Sequence, residues 1–183
     1  CETKCPAKTV SEFNQGLSER HAIYKPFPQA VPAKPVIDAE SCRKLSGKAK
    51  CGVCQAVCPL KAINFEDTDR LVTDTFGAIV VATGYELVDW AKLYPEYGGG
   101  KLPDVITGLQ FERLVNASGP TEGKIRRPSD GTEPKDFVIV KCVGSRDKAK
   151  GRAYCSRACC MYAAKHAHQI LEKIPGSRVA IFY

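Results

Sequence analysis

Residues 42–59 read CRKLSGKAKCGVCQAVCP, and this stretch decides how the first part of the chain is interpreted. Its cysteines are Cys42, Cys51, Cys54 and Cys58, and Pro59 follows the last of them. The second half has the spacing C-x2-C-x3-C-P. Close-set thiolates in a tight turn can reach separate irons of one iron–sulfur cube, and a proline after the last cysteine turns the chain away. The stretch therefore predicts a metal–thiolate site.

A second copy of the same ending occurs at the beginning of the chain, where residues 1–6 read CETKCP. Cys1, Cys5 and Pro6 give C-x3-C-P, without the two cysteines that would precede it. In two-cluster bacterial ferredoxins the run C-x2-C-x2-C-x3-C-P occurs twice, and its last cysteine ligates the other cluster. The repeat predicts a ferredoxin-type 4Fe-4S domain over residues 1–70, truncated at its N-terminus.

One departure from the simple motif lies between Cys42 and Cys51, which are separated by eight residues. The insert, RKLSGKAK, is basic and contains a glycine, so we expect a loop. Because C-x2-C pairs also occur in zinc knuckles, a zinc-stabilised binding module without redox function is the alternative interpretation. A disulfide framework is less favoured, because nothing marks the chain as secreted and cytosolic thiols stay reduced.

Composition limits the class of protein. The 183 residues are enough for one or two modest domains, and no apolar run approaches the ~20 residues of a membrane span. The formal charge of +7 suits nucleic acid or an acidic protein partner, but the basic residues are dispersed, so nucleic-acid binding is only a weak second interpretation. Each 4Fe-4S cluster with its four thiolates would also contribute about −2. Met161 is the only methionine and the chain opens inside a motif, so we expect a part of a longer protein.

The segments around the first cysteines predict half of a ferredoxin fold. A short helix is expected within residues 9–23. Strands are expected at residues 36–38 and 62–65, before and after the cysteines. Residues 24–35 contain four prolines and are expected to be extended.

The middle of the chain, residues 71–134, has features of a flavoprotein segment. Residues 76–84 read FGAIVVATG, a β-branched run that predicts a buried strand ending at Gly84. An ATG ending resembles the second fingerprint of flavoproteins that have two dinucleotide-binding domains. Thr107 and Gln110 have the spacing of a capping box, so a helix is expected to begin there.

Residues 135–183 predict a Rossmann-like β-α-β unit. We expect a strand at residues 137–140, an alanine-rich helix at residues 154–174 and a parallel strand at residues 179–182. The glycine pattern that admits a pyrophosphate at the first turn is missing. Cysteines occur around this turn instead, namely Cys142, Cys155, Cys159 and Cys160.

These four cysteines are expected to converge where the strand end meets the helix start. Cys155 and Cys159 are four residues apart and would share one face of a helix. The positive end of the helix dipole suits an anionic metal–thiolate cluster, so a 4Fe-4S site with unusual spacing is favoured. Small buried cysteines and a redox-active thiol pair are the alternatives. His166 and His168 would face different sides of the helix and are not expected to be ligands.

Taken together, several stretches of the chain resemble the A subunits of heterodisulfide reductases. They are the C-P repeat, RHAIYKPFPQAVPAKPVID, IVVATGYE, KCVGSRD and YCSRACCMYAAKHAH, and they cover nearly the whole chain. In that family a ferredoxin domain is inserted into a thioredoxin-reductase-like flavoprotein, and FAD exchanges electrons with several iron–sulfur clusters. The resemblance implies an α+β ferredoxin-like domain followed by α/β Rossmann-like portions of the flavoprotein.

The resemblance also implies ligand sets for two clusters in the first part of the chain. One cluster would be held by Cys42, Cys51 and Cys54, with Cys5 crossing over. Half of the ligands of a second cluster would be Cys1 and Cys58.

Further along the chain, the resemblance implies two more cofactor contacts. The family's additional cluster in the flavoprotein domain would be held by Cys142, Cys155, Cys159 and Cys160. Thr83 and Gly84 would lie near FAD, which the full-length protein is expected to bind.

The resulting prediction is an electron-transfer part of a cytoplasmic flavin/iron–sulfur oxidoreductase, with no catalytic residue of its own. Electrons would pass through 4Fe-4S clusters to and from FAD, and some members of the family bifurcate electron pairs at the flavin. Expected partners are the other subunits of a heterodisulfide reductase-type complex and a hydrogenase or another electron-donor protein. Heterodisulfide cleavage belongs to other subunits of that family, so the chain is not expected to contact that substrate.

Overall fold

The computed structural model describes all residues of the chain, 1–183, and divides them into two units, Cys1–Tyr85 and Glu86–Tyr183. The first unit begins with a 3-10 turn at Glu2–Lys4 and contains two small antiparallel pairs of strands. In the first pair, β1 (Lys8–Val10) lies beside β2 (Glu19–His21).

The connection between β1 and β2 contradicts one sequence prediction. Gln15 and Gly16 both have positive φ, 53° and 81°, and reverse the chain between the strands. The helix predicted within residues 9–23 is therefore wrong. Left-handed backbone at this point ends a helix, and the neighbouring strand supplies the hydrogen bonds that a helix would have supplied.

The second pair of strands is formed by β3 (Ile23–Tyr24) and β4 (Val36–Ile37). The strand predicted at residues 36–38 is confirmed in its first two residues. The strand predicted at residues 62–65 is wrong, because β4 takes β3 as its partner and residues 62–65 have no regular structure.

The core of the first unit forms where the two strand pairs meet. The Ala22 N–H donates to the carbonyl oxygen of Ala7 at 3.0 Å, and the Ala22 carbonyl accepts from the Asp38 N–H at 2.8 Å. Ala22 thereby connects the pairs through its backbone. The buried residues of this core and those packed against it are Ala7, Ala22, Cys42, Cys5, Ile37 and Phe65.

The remainder of the first unit contains one short helix, α1 (Val53–Ala56). Beyond it, the strand predicted at residues 76–84 does not form. Ile79, Val80 and Val81 are 85%, 89% and 79% exposed. A strand completes its backbone hydrogen bonds on a neighbouring strand, and no strand of this chain pairs with these residues.

In the second unit, the local structure agrees most closely with the predictions made from the sequence. After α2 (Trp90–Leu93) and a 3-10 turn at Pro95–Tyr97 comes α3 (Gly108–Val115). The predicted capping box is confirmed: Thr107 Oγ1 accepts from the Gln110 N–H, and the Gln110 side chain accepts from the Thr107 N–H.

The predicted β-α-β unit is also confirmed in its order of elements. β5 (Asp136–Val140) and β6 (Arg178–Phe182) are parallel, and α4 (Cys159–Lys173) connects them. The helix begins at Cys159 and not at residue 154 as predicted, because Arg157 has a positive φ of 58°. The core that holds this unit together consists of Phe111, Ile125, Ile170 and Ile174, with Phe137 and Val179 packed against it.

The larger classes assigned from the sequence stay predictions. These are the ferredoxin-like domain, the Rossmann-like flavoprotein portions and the division of the chain at residues 70 and 134. None of the helices has the length and hydropathy that a membrane crossing requires.

Candidate metal centre

One cavity in the first unit is lined by four cysteines. It is partly open to solvent. Its cysteines come from separate segments of the chain and are Cys5, Cys42, Cys51 and Cys54. Apolar side chains complete much of the wall, namely Pro6, Ala7, Ala22, Ile23, Ile37 and Phe65. The cavity therefore combines four soft ligands with a largely apolar lining.

Cys42 is the buried member of this set, and a turn holds it in place. Its N–H donates to the Asp38 carbonyl oxygen at 2.9 Å. The Asp38 carboxylate accepts from Ser41 Oγ at 2.6 Å and from the nearly buried Arg20 guanidinium at 3.1 Å. The Ser41 hydrogen bond lowers the pKa of Asp38 against the opposing effect of burial, so the carboxylate stays ionised and the turn stays fixed near neutral pH.

Cys5 reaches the cavity from the N-terminal segment. Its thiol lies 3.6 Å from the Ala7 carbonyl oxygen, and its N–H donates to the Glu2 carbonyl at 3.1 Å. The Arg43 guanidinium donates to the Pro6 carbonyl oxygen at 3.2 Å. This bond connects the residue after Cys42 to the residue after Cys5.

Cys51 and Cys54 flank the beginning of α1, where Gly52 is the N-cap residue. Burial raises the pKa of the Cys54 thiol, and the charges of Cys42 and Cys5 raise it further. The neighbouring Cys42 and Cys5 therefore disfavour the ionised form of Cys54. A bound cationic metal centre would remove this repulsion, because ligation requires deprotonated thiols.

Cys1 and Cys58 do not line the cavity. Cys1 is exposed, whereas the Cys58 sulfur accepts from the Ala62 N–H at 3.4 Å. That bond is the largest influence on Cys58 and lowers the pKa of its thiol, with smaller contributions from the Leu60 and Lys61 amides. Cys58 is thus suited to the thiolate form.

The third group of cysteines lies around the turn between β5 and α4 and consists of Cys142, Cys155, Cys159 and Cys160. Cys142 follows β5 with a φ of 62°, and Cys155 lies in the loop before α4. Cys159 and Cys160 are the first two residues of α4. The prediction that Cys155 and Cys159 share a helical face is wrong, because Cys155 is outside the helix.

The structure does not bring the third group together around one point. In the whole described chain, no three cysteine, histidine or carboxylate side chains converge closely enough to hold one metal ion. The nearest polar contacts of two of these sulfurs are local ones. Cys155 Sγ accepts from the Arg157 N–H at 3.3 Å, and the Arg146 guanidinium lies 3.9 Å from Cys142 Sγ.

Thr83 and Gly84, predicted to lie near FAD, are exposed at the end of the first unit. Gly84 has a φ of +72°, which a residue with a side chain rarely adopts. A Cβ at this position would meet no atom of the chain within 4 Å. Within this chain, the backbone conformation and not crowding is therefore what restricts position 84 to glycine.

His166 is buried in the second unit. Its Nε2 lies 2.7 Å from Glu112 Oε1, and its ring packs on Phe111 with centroids 4.6 Å apart. Burial raises the pKa of Glu112, but hydrogen bonds from Lys165 and His166 outweigh it, so the pKa is lowered overall. This contact joins α3 to α4.

Sequence reasoning missed two cations at the cavity, Arg43 and Lys44. They are the first two residues of the basic insert, which the sequence pattern indicated only as a loop. Their position directly after Cys42 was the available signal.

No protein-family model matches the chain. Over 183 residues the chain is 43% identical to the A subunit of the ferredoxin/F(420)H(2)-dependent CoB-CoM heterodisulfide reductase of Methanosarcina acetivorans, of which it spans 22%. It is 42% identical to the A subunit of the H(2):CoB-CoM heterodisulfide,ferredoxin reductase of Methanothermobacter marburgensis. It is 43% identical to the iron-sulfur A subunit of the CoB--CoM heterodisulfide reductase of Methanocaldococcus jannaschii. It spans 27% of each of these two.

These relatives are oxidoreductase subunits, and each match covers the whole of the present chain. The chain belongs to the family of heterodisulfide reductase A subunits, as its motifs predicted. It spans about a quarter of the length of the curated relatives it matches.

Proposed function

We propose that the chain is an electron-transfer part of a heterodisulfide reductase-type oxidoreductase, and that its first unit binds a 4Fe-4S cluster. The observation that carries this proposal is the single cavity lined by Cys5, Cys42, Cys51 and Cys54. Cysteine thiolates are the usual ligands of such clusters. The relative from Methanocaldococcus jannaschii is named an iron–sulfur subunit.

The motif of these cysteines favours a cube over a single zinc ion, because the C-P ending that occurs at Pro6 and again at Pro59 is typical of ferredoxins. Tetrahedral zinc lies about 2.3 Å from each sulfur, so its ligands converge on one point. In a 4Fe-4S cube each thiolate binds a different iron, and the thiolates surround a larger volume. Four cysteines line the one cavity, which is the number of thiolate ligands that a 4Fe-4S cube takes.

The residues of the cavity would bind the cluster and limit its contact with water. When bound, a 4Fe-4S cluster supplies one-electron redox chemistry whose potential depends on net charge, hydrogen bonds to sulfur and solvent exposure. Ala7, Ala22 and Phe65 present apolar surface to the cavity. The hydrogen-bonded turn from Asp38 to Cys42 would keep the buried ligand in position.

The remaining cofactor sites are proposed on weaker grounds. Cys1 and Cys58 would contribute to a second cluster with ligands from outside this chain, and the amides around Cys58 support its thiolate form. The third group of cysteines would bind the additional cluster of the family in the intact protein. Thr83 and Gly84 would contact FAD there.

Electron donors and acceptors follow from the relatives. Their names mention ferredoxin, F(420)H(2) and H(2), so we propose a redox protein or a hydrogenase as the donor and other reductase subunits as partners. Flavin-based bifurcation is part of the same proposal. The ten free thiols are in accord with a reducing, cytoplasmic location.

Anaerobic purification of the intact protein tests the first-unit site. Cys54→Ser should lower the iron content by about four atoms per polypeptide, because one cube would be lost. It should also remove one EPR signal after reduction. The matched control is Ala56→Ser, an exposed position on the same helix, which should retain iron and signal.

Two results would contradict the proposal. One is an unchanged iron content in Cys54→Ser. The other is about one zinc ion per polypeptide at this site with no visible absorbance, which would establish the zinc-stabilised module instead.

A further inference from the structure

Two cations share the wall of the cysteine cavity. The insert after Cys42 carries Arg43, Lys44, Lys48 and Lys50, all exposed. Only Arg43 and Lys44 line the cavity. The insert therefore has one pair of charges at the candidate site and a second pair away from it.

The structure holds both side chains in defined positions. Arg43 donates to the Pro6 carbonyl oxygen at 3.2 Å. The Lys44 ammonium lies 3.9 Å from the centroid of the Phe65 ring, and Phe65 packs against the buried core that contains Cys42. A cation over an aromatic face is attracted by the ring quadrupole, so Lys44 is kept close to the cavity.

Neither charge is neutralised by a neighbouring carboxylate. Among the ion pairs of the chain, Arg20 engages Glu12 and Asp38, whereas Arg43 and Lys44 engage no acidic side chain. Both charges would therefore act on whatever anion the cavity contains. A cluster with four thiolates is such an anion.

We propose that the charges of Arg43 and Lys44 raise the reduction potential of the cluster bound in this cavity. The inference rests on the proposed function of the first unit. Reduction adds negative charge to the cluster, and a nearby cation stabilises the reduced state more than the oxidised state. The Phe65 ring and the Pro6 carbonyl fix the distance over which this effect acts.

The test is a redox titration of the intact protein at low ionic strength, followed by EPR, because salt screens exposed charges. The signal of this cluster is identified as the one missing from Cys54→Ser. Lys44→Gln should shift its midpoint to a more negative potential without loss of iron, and the Arg43→Gln/Lys44→Gln double variant should shift it further. Lys44→Arg should restore the wild-type midpoint.

Lys48→Gln is the matched control, since it removes the same charge from the same loop outside the cavity wall. It should leave the midpoint unchanged. Equal midpoints for wild type, Lys44→Gln and Lys48→Gln would overturn the inference while leaving the cluster assignment intact. An equal shift in Lys44→Gln and Lys48→Gln would also overturn it, because the effect would then be one of overall charge. Absence of the cluster from wild-type protein would refute the proposed function instead.

Discussion

Replacing Ala22 by leucine would test whether the cavity itself, and not merely the presence of cysteines, is required for cluster binding. Ala22 is 1% exposed, lines the cavity and is bonded through its backbone to Ala7 and Asp38. A leucine side chain at this position would extend into the space that the four thiols surround. All four ligands would remain in the protein.

The expected changes in stability and iron content distinguish a blocked cluster site from an unfolded protein. Overpacking a core typically costs about 1–3 kcal/mol, whereas domains are typically stable by about 5–15 kcal/mol. We therefore expect Ala22→Leu to fold, with a lower urea midpoint and an unchanged slope. Its iron content should fall by about four atoms per polypeptide, since one cube would be excluded.

The assay is iron and sulfide analysis of anaerobically purified intact protein, together with EPR of the reduced state. Ala56→Leu is the control, because position 56 is exposed and lies on the same helix as Cys54. It should retain full iron. Full iron and an unchanged EPR signal in Ala22→Leu would refute the assignment of the cluster to this cavity.

Three other predictions concern the rest of the chain. Cys155→Ser and Cys159→Ser should each remove the same EPR signal from the intact protein, and loss of different signals would contradict a shared site. Gly84→Val should lower the extractable FAD at unchanged iron content, because valine disfavours the φ of +72°; full flavin occupancy would show that the turn has no role in binding. For Glu112, hydrogen bonds outweigh the burial that raises its pKa, so the pKa is lowered on folding. Its stabilising effect is then present above the unfolded pKa of about 4.3 and is lost as pH falls through the folded value. In Glu112→Gln, the free energy of unfolding should fall less steeply as the pH is lowered in the acid range. An unchanged pH dependence would contradict this prediction.

The parts of the fold that the sequence predicted well are those determined by near neighbours. The capping box depends on Thr107 and Gln110 alone, and both of its hydrogen bonds form. The start of α4 was predicted too early because the alanine-rich pattern extends upstream of Cys159. The positive φ of Arg157 could not be predicted from its residue type. One unusual backbone angle therefore moved Cys155 from the helix into a loop.

The strands predicted at residues 62–65 and 76–84 do not form, because a strand depends on a distant partner, whereas β5 and β6 pair with each other as predicted. Residues 76–84 have the β-branched composition of a strand, yet no strand of this chain pairs with them. The strand predicted at residues 36–38 forms at residues 36 and 37, and its partner is β3. The amino-acid composition of a segment indicates which side chains a strand would bury. Whether the segment pairs with another strand depends on the arrangement of the whole chain.

Spacing rules predicted that the cysteines are metal ligands but indicated little about the space between them. The structure brings Cys5 together with Cys42, Cys51 and Cys54, which is the combination that the family resemblance implied. Their role as ligands stays a prediction. Arg43, Lys44 and Phe65 have no motif, and only the three-dimensional contacts indicate that they belong to the same site.

The space for a cluster depends on small residues as much as on thiols. Ala7 and Ala22 occupy the positions where the N-terminal strand pair meets the segment that leads to Cys42. Their small side chains leave the cavity open, whereas a larger side chain at either position would take up space in it. The cysteine pattern thus predicts the ligands of the proposed site. A small residue at each of these two contacts is the steric condition for a cavity between the ligands.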